Sequence, residues 1–258
     1  MNGTLVLTAL PEELAPLAAR TQVVVRERIA RCRVHRGSLA GRPIVLASTG
    51  EGRSCAQRGA AALIERFAPE RVLVLGVSGG LTPGLAPGDL LVAGQVWAGT
   101  APVPPPDRRW VEHARGRRGT MEAMVVSTDR ILCTPAEKTA LRHELAADAR
   151  PAAVDLESAA YAWAAAARGV PYVVVRSILD PAEEALPLDL NLCLTADGRV
   201  DRARVAGRLL LHPRNLGLVW NLRQRLRSCA RRLAELVEEL LNSAPVAADG
   251  AALDAGGR

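Results

Sequence analysis

The chain has 258 residues, 49% of them apolar and 23% charged, an ordinary globular composition that excludes a disordered chain and suits one large or two small domains. Aromatics are only 3% and the formal net charge is +6. The core must therefore be built from Leu, Val, Ala and Ile, and a stacking platform for nucleic acid is not expected.

Residues 4–10 (TLVLTAL) read as a strand, and Pro11 suits the first turn of a following helix. Residues 23–32 and 32–39 read as paired strands, and 43–47 as another that ends in STGEGR. Ala and Leu at helical spacing predict a helix over 54–66. Residues 71–77 (RVLVLGV) form a continuous apolar run, a buried strand ending in Ser78-Gly79-Gly80-Leu81. The turn at 86–89 leads into a strand over 90–96. Prolines across 101–106 cannot lie in a helix or a central strand, so 98–120 reads as a surface loop. A short strand over 124–127 is followed by a helix over 135–147, with Glu137 and Lys138 near its start. Residues 153–156 end a strand, 157–168 form an Ala-rich helix and 171–178 a strand within PYVVVRSILD. Residues 182–200 are mixed, and 202–241 are helical and basic, split near His212-Pro213. Residues 243–258 lack large apolar side chains and are expected to be disordered. Strands alternating with helices mean an α/β layered sheet. One domain over 1–242 is expected, with a basic helical extension from about 200.

Lys138 is the only lysine, so the basic character is arginine, either as forks for phosphate and carboxylate or as a base-composition habit. Cysteines stand at 32, 55, 133, 193 and 229, an odd count with no pair at metal-ligand spacing. Free thiols in a reducing compartment are expected, and no metal site. The opening MNGTLVLTALPEEL has no positive n-region, and no apolar run reaches about 18 residues. A cytoplasmic location is expected, with peripheral contact at the inner membrane surface left open.

Ligands of open α/β sheets bind at the carboxyl ends of strands. The groups at such ends are Glu12-Glu13, Gly50-Glu51-Gly52-Arg53, Ser78-Gly79-Gly80, Glu157 and Asp180. Each alone has an ordinary explanation: a glutamate favours a helix start, a glycine pair makes a tight turn, and an aspartate before proline caps or turns. Only the combination points to a ligand site.

That combination resembles the purine nucleoside phosphorylase and methylthioadenosine/S-adenosylhomocysteine nucleosidase superfamily. The segments that carry it are TALPEEL, STGEGRSCAQRGAAALIERFAPERVLVLGVSGGL, LAPGDL and VDLESAAYAWAAAARGVPYVVVRSILD, between residue 4 and about 180. VVSTDRILCTPAEK and the residues after Asp180 look closest to the hopanoid-associated branch, which acts on adenosylhopane. The resemblance implies a three-layer α/β/α fold with a mixed, twisted central sheet. It implies cleavage of the N-ribosidic bond of an adenosyl substrate, with adenosylhopane as the expected one, releasing adenine and giving a (phospho)ribosyl lipid in hopanoid side-chain biosynthesis. Asp180 would protonate N7 of the base as general acid. Glu157 would accept hydrogen bonds from the ribose 2′- and 3′-hydroxyls and offset the cationic sugar. Glu13 would polarise an attacking water. Leu156 would pack under the sugar, and Gly79 and Ser78 would approach the substrate.

The chain departs from the family pattern in three places. Val77 stands where many members have Ser, with Ser78 displaced by one. Leu179 replaces the usual Ser before Asp180, so the hydrogen bond that orients this aspartate is missing or comes from elsewhere. Phe67 is the only phenylalanine and lies away from the base pocket. The nucleophile has two readings, and the first, phosphorolysis, is the one followed. Branch resemblance implies phosphorolysis, with Arg53 and Gly52 at a helix start as the candidate phosphate site and inorganic phosphate as co-substrate. Glu13 implies water, because a carboxylate repels a phosphate dianion. No cofactor is implied. A homo-oligomer is expected, and no nucleic acid partner. The rivals are a methylthioadenosine/S-adenosylhomocysteine nucleosidase and an inactive nucleoside-binding module. Retention of Glu13, Glu157 and Asp180 together argues against the inactive module.

Between 202 and 232 nine arginines are interleaved with Leu and Trp220. This reads either as a basic amphipathic surface that meets anionic lipid, or as a covering helix pair or oligomer contact.

Overall fold

The computed structural model describes residues 3–145, 150–195, 200–211 and 213–243. The strands are β1 (Thr4–Thr8), β2 (Gln22–Ile29), β3 (Cys32–Leu39), β4 (Arg42–Ser48), β5 (Arg71–Gly80), β6 (Leu90–Ala98), β7 (Ala101–Pro102), β8 (Met121–Ser127), β9 (Ala152–Asp155) and β10 (Tyr172–Asp180). The helices are α1 (Pro11–Arg20), α2 (Arg53–Phe67), α3 (Arg108–Ala114), α4 (Pro135–Glu144), α5 (Ser158–Ala166), α6 (Arg202–Leu211) and α7 (Leu216–Asn242).

The strands form one mixed sheet in the order β10-β6-β8-β9-β5-β1-β4-β3-β2, with β7 on the edge of β6. β1 lies parallel between β4 and β5, whereas β2, β3 and β4 form an antiparallel meander. β10 pairs parallel with β5 and antiparallel with β6, so β10, β6, β8, β9 and β5 close into a barrel at one end of the sheet. Buried strands carry continuous apolar runs because helices cover both faces. On one face, Val72, Val74 and Val174 pack with Ala56, Leu63 and Tyr161 of α2 and α5. On the other, Leu73, Leu75 and Val175 pack with Leu14, Leu17, Leu236 and Leu240 of α1 and α7.

The α/β/α layering is as the sequence implies, with three local corrections. First, β5 does not stop at Val77. It runs on through Ser78-Gly79-Gly80, where Gly79 and Gly80 pair with Val154 and Ala153 of β9. Second, 98–120 is not all loop. β7 bridges to β6, Val103 donates its N–H to Val96 O at 3.0 Å, and α3 buries Trp110, Val111 and Ala114. The cap explains that helix: the Asp107 side chain accepts from Trp110 N at 3.1 Å, directly after the proline run. Third, the C-terminal helices are not wholly appended. In the second half of α7, Cys229, Ala230, Leu233, Ala234, Leu236, Val237, Leu240 and Leu241 are buried against the sheet. The final positions of the helix predicted over 135–147, residue 212, and the tail beyond 243 lie outside the described residues. Among the described residues no helix is long and apolar enough to cross a membrane. All five cysteines are free thiols.

Candidate active site

The carboxyl ends of β1, β5, β9 and β10 meet where the sheet begins to close, and four acidic side chains are buried there. Glu13 stands in the first turn of α1 and folds back on the helix start, with Oε2 accepting from Leu10 N at 2.9 Å. Its Oε1 accepts from Val77 N on β5, also at 2.9 Å. The residue thus caps its own helix and ties α1 to a neighbouring strand. Glu12 beside it is exposed. Burial raises the pKa of Glu13, against the opposing pull of the Arg176 charge and the two N–H donors.

Arg176 interrupts the apolar run of β10 and is 1% exposed. Its Nη2 lies 2.5 Å from Asp155 Oδ2 on β9 and 2.8 Å from Ser158 Oγ on α5. Asp155 also accepts from Ser127 Oγ at 2.6 Å and from Ser158 Oγ at 2.5 Å. A buried guanidinium is tolerable only when paired and hydrogen-bonded, and these contacts supply both. Burial works against the charge, but Asp155, Glu13 and Glu157 outweigh it and raise the Arg176 pKa. Gly76 is required beside it. A Cβ there would lie 2.0 Å from Arg176 Nη1 and 2.9 Å from Glu13 Oε1.

Glu157 occupies the N-cap position of α5, and its Oε1 accepts from Gly52 N at 2.8 Å. Gly52 donates from φ 87°, a left-handed conformation that favours glycine. Burial, together with the nearby Asp155 charge, pushes the Glu157 carboxyl up to about 8. Tyr161, one turn along α5, shares a 2.6 Å hydrogen bond with Thr49.

Asp180 ends β10, beyond a register shift against β5. Its Oδ2 accepts from Lys138 Nζ at 2.6 Å. The same ammonium donates to Pro181 O at 2.6 Å and to Glu184 O at 3.0 Å. Lys138 is fully buried on α4. Burial raises the Asp180 pKa to about 6, with the lysine opposing the rise. A Cβ at Gly79 would come within 3.2 Å of Asp180 Oδ2, so the glycine keeps that approach open.

The sequence-predicted residues are distributed as follows. Glu13 and Glu157 share one electrostatic cluster with Arg176 and Asp155, while Asp180 sits with Lys138, Glu184 and Arg225. Leu156 is half-buried between β9 and α5 and lines a cavity of about 700 Å³ with Arg53, Leu132, Leu141 and Trp163. That cavity adjoins the buried carboxylates rather than containing them. Ser78 is buried, and its hydroxyl has no protein hydrogen-bond partner. Of the two candidate phosphate donors, the backbone one is already engaged. Gly52 gives its N–H to Glu157, and Arg53 lies 3.5 Å from Asp129 with its guanidinium 5.0 Å from the Trp163 ring centre.

Lys138, Arg176 and Asp155 are functional candidates that motif reading passed over. Each carries a signal: the only lysine of the chain, a charge inside the run YVVVRSILD, and an acid two residues before Glu157. The orienting partner of Asp180 that Leu179 cannot supply is Lys138, from another element.

A mixed α/β sheet with buried acids at its strand ends places the candidate site at the carboxyl edge of the sheet, and the family match below makes the chain an enzyme of the nucleosidase or phosphorylase type. Residues 4–242 match the family model described as the phosphorylase superfamily, and the chain belongs to that family. It is 27% identical over 215 residues to the 5′-methylthioadenosine/S-adenosylhomocysteine nucleosidase of Shewanella putrefaciens, covering 75% of this chain and 92% of the relative. Among solved structures it is similar to the corresponding nucleosidase of Neisseria meningitidis in complex with methylthio-immucillin-A. The TM-score is 0.73 at 22% identity, covering 93% of this chain and 98% of the other. The futalosine hydrolase of Helicobacter pylori aligns with TM-score 0.72 at 20% identity, covering 94% and 97% of the two chains.

Proposed function

We propose that this protein cleaves the N-ribosidic bond of an adenosyl substrate and releases adenine. The observation that carries the reading is the burial of Glu13, Glu157 and Asp180 at converging strand ends, each with a raised pKa. Asp180, titrating near 6, keeps a proton within reach of neutral pH for N7 of the departing base. Glu157 meets the ribose hydroxyls, and Leu156 lies under the sugar. Gly79 leaves the backbone open to substrate, and Ser78 precedes it on β5.

Water is the nucleophile in this reading, polarised by Glu13. The hydrogen bonding at 52–53 supports that choice over the phosphate site expected there. The Gly52 N–H is committed to Glu157, so the backbone donor expected for an anion is taken, while the exposed Arg53 makes only a surface pair with Asp129 and a contact with the Trp163 ring. The nucleosidase names of the relatives support it too.

Two substrate classes fit: a small 5′-thioalkyl adenosine, or an adenosyl lipid such as adenosylhopane. The apolar side of the cavity beside Leu156, with Leu132, Leu141 and Trp163, supports a large apolar group on ribose C5′. The decisive experiment incubates the purified protein with 5′-methylthioadenosine, S-adenosylhomocysteine and a 5′-alkyl adenosine, with and without phosphate. The expected result is adenine and a free ribosyl product in phosphate-free buffer. Release that requires phosphate and yields a ribosyl 1-phosphate would restore the phosphorolytic reading, and no release from any of them would overturn the proposal.

A further inference from the structure

We propose that Lys138 is the positioning residue that sets the orientation and proton affinity of Asp180. The inference rests on the cleavage reading for its role in turnover, but the geometry stands independently. An ammonium has three N–H donors, and here all three have acceptors: Asp180 Oδ2 at 2.6 Å, Pro181 O at 2.6 Å and Glu184 O at 3.0 Å. Two of those acceptors are backbone carbonyls of the segment that follows β10, so the lysine fixes the chain around Asp180 as well as its carboxyl group. Oδ2 takes the lysine, which leaves Oδ1 for a ligand.

The placement is specific. Lys138 is the only lysine among 33 basic Lys and Arg residues, and it is 0% exposed. An arginine would bring a planar fork that cannot converge on three acceptors around one nitrogen, whereas the compact ammonium can. Burying a charge without a partner is strongly unfavourable, so a solvent-facing role is excluded. The charges facing Asp180 are Lys138 from α4, Glu184 from the following segment and Arg225 from α7. Arg225 in turn holds the Glu184 carboxylate at 2.7 Å and 2.8 Å. The lysine is the one of these that touches Asp180, and it counters the rise that burial imposes.

The consequence for turnover has a definite sign. A general acid works in its protonated form. Loss of an adjacent cation raises a carboxyl pKa by about 1–3 units. The alkaline fall-off of turnover should therefore move to higher pH when Lys138 is neutralised, even as the rate drops because the carboxyl is no longer held.

The test compares wild type, Lys138→Gln, which retains donors without charge, and Lys138→Arg, which retains charge. Carbon-13 NMR titration reads Asp180 directly, its signal assigned through Asp180→Asn. Adenine release is followed across pH in parallel. In Lys138→Gln the Asp180 midpoint should rise by at least one unit. Its kcat should fall about 10–100-fold, a size typical for loss of an orienting outer partner, with KM changed less than about threefold. Lys138→Arg should keep the midpoint near wild type. An unmoved Asp180 titration in folded Lys138→Gln overturns the assignment whatever the activity, as does a wild-type kcat and pH profile in that variant. A moved titration in a protein that releases no adenine supports the pairing and overturns only the cleavage reading.

Discussion

At the scale of single residues, the site runs against the usual behaviour of carboxylates, which lose protons on folding when they gain a cation. Here burial dominates. Glu13, Glu157 and Asp180 all bind protons more tightly in the native chain than free side chains do. Between the ordinary carboxyl range and about 8, the native state therefore holds more protons than the unfolded state, and stability falls as pH rises. Glu157→Gln removes the contribution that extends to about pH 8. Its Tm should exceed wild type by several degrees at pH 8, and the gap should close as pH falls toward 4.5. Thermal unfolding across pH measures this; a constant gap would mean that Glu157 ionises normally. The amide of Asp180→Asn keeps the shape but has no acidic proton. Adenine release should fall about 10²–10⁴-fold with an unchanged circular dichroism spectrum. Unchanged turnover would remove Asp180 from the general-acid role.

At the scale of elements, β5 organises the centre. It supplies the Val77 N–H to Glu13, the empty space at Gly76 that Arg176 fills, and the open approach at Gly79. Gly76→Ala should therefore be destructive although alanine is small. Its Cβ would fall 2.0 Å from the guanidinium, and a buried charge network cannot shift without losing its partners. Overpacking of this kind costs about 1–3 kcal/mol, and adenine release should drop with it. Urea unfolding and activity of the same variant check both; wild-type stability would mean that Arg176 has another place to go. Helix α7 shows a division within one element. Its second half is core, whereas Leu216, Leu218 and Trp220 in its first half are 55%, 54% and 57% exposed.

At the scale of the whole molecule, closure of β10 onto both β5 and β6 brings distant segments to one rim. It sets Lys138 of α4 against the end of β10 and seats Arg225 of α7 on Glu184. The exposed start of α7 projects Leu216, Leu218 and Trp220 beside the exposed Arg214, Arg223 and Arg227. An adenosyl lipid would require the enzyme to work at a bilayer, since extraction costs about 0.8 kcal/mol per CH₂. Each basic residue near an anionic surface contributes about 1 kcal/mol, and salt screens it. Co-sedimentation with anionic vesicles should thus exceed that with neutral vesicles, weaken at high salt and fall further in Leu218→Ser/Trp220→Ser. Equal, negligible binding to both would favour the small thioalkyl substrate.

Most of the layered fold was legible from local pattern. Apolar strand runs and Ala-rich helices are local, because backbone hydrogen bonding and burial periodicity act over a few residues. The acids at strand ends were legible for the same reason: each follows its own strand directly. What lay beyond reach were partners that meet only after the sheet closes. Asp180 lies 42 positions from Lys138, and Val77 lies 64 from Glu13. The proline run hid α3, since proline speaks strongly about its own position and not about the segment it introduces. The chain by itself determined which side chains could do chemistry and on which strand ends they stand. Only the tertiary structure decided which are charged, which are paired and which donors are already taken, because desolvation and Coulomb interactions depend on distances through space rather than along the chain.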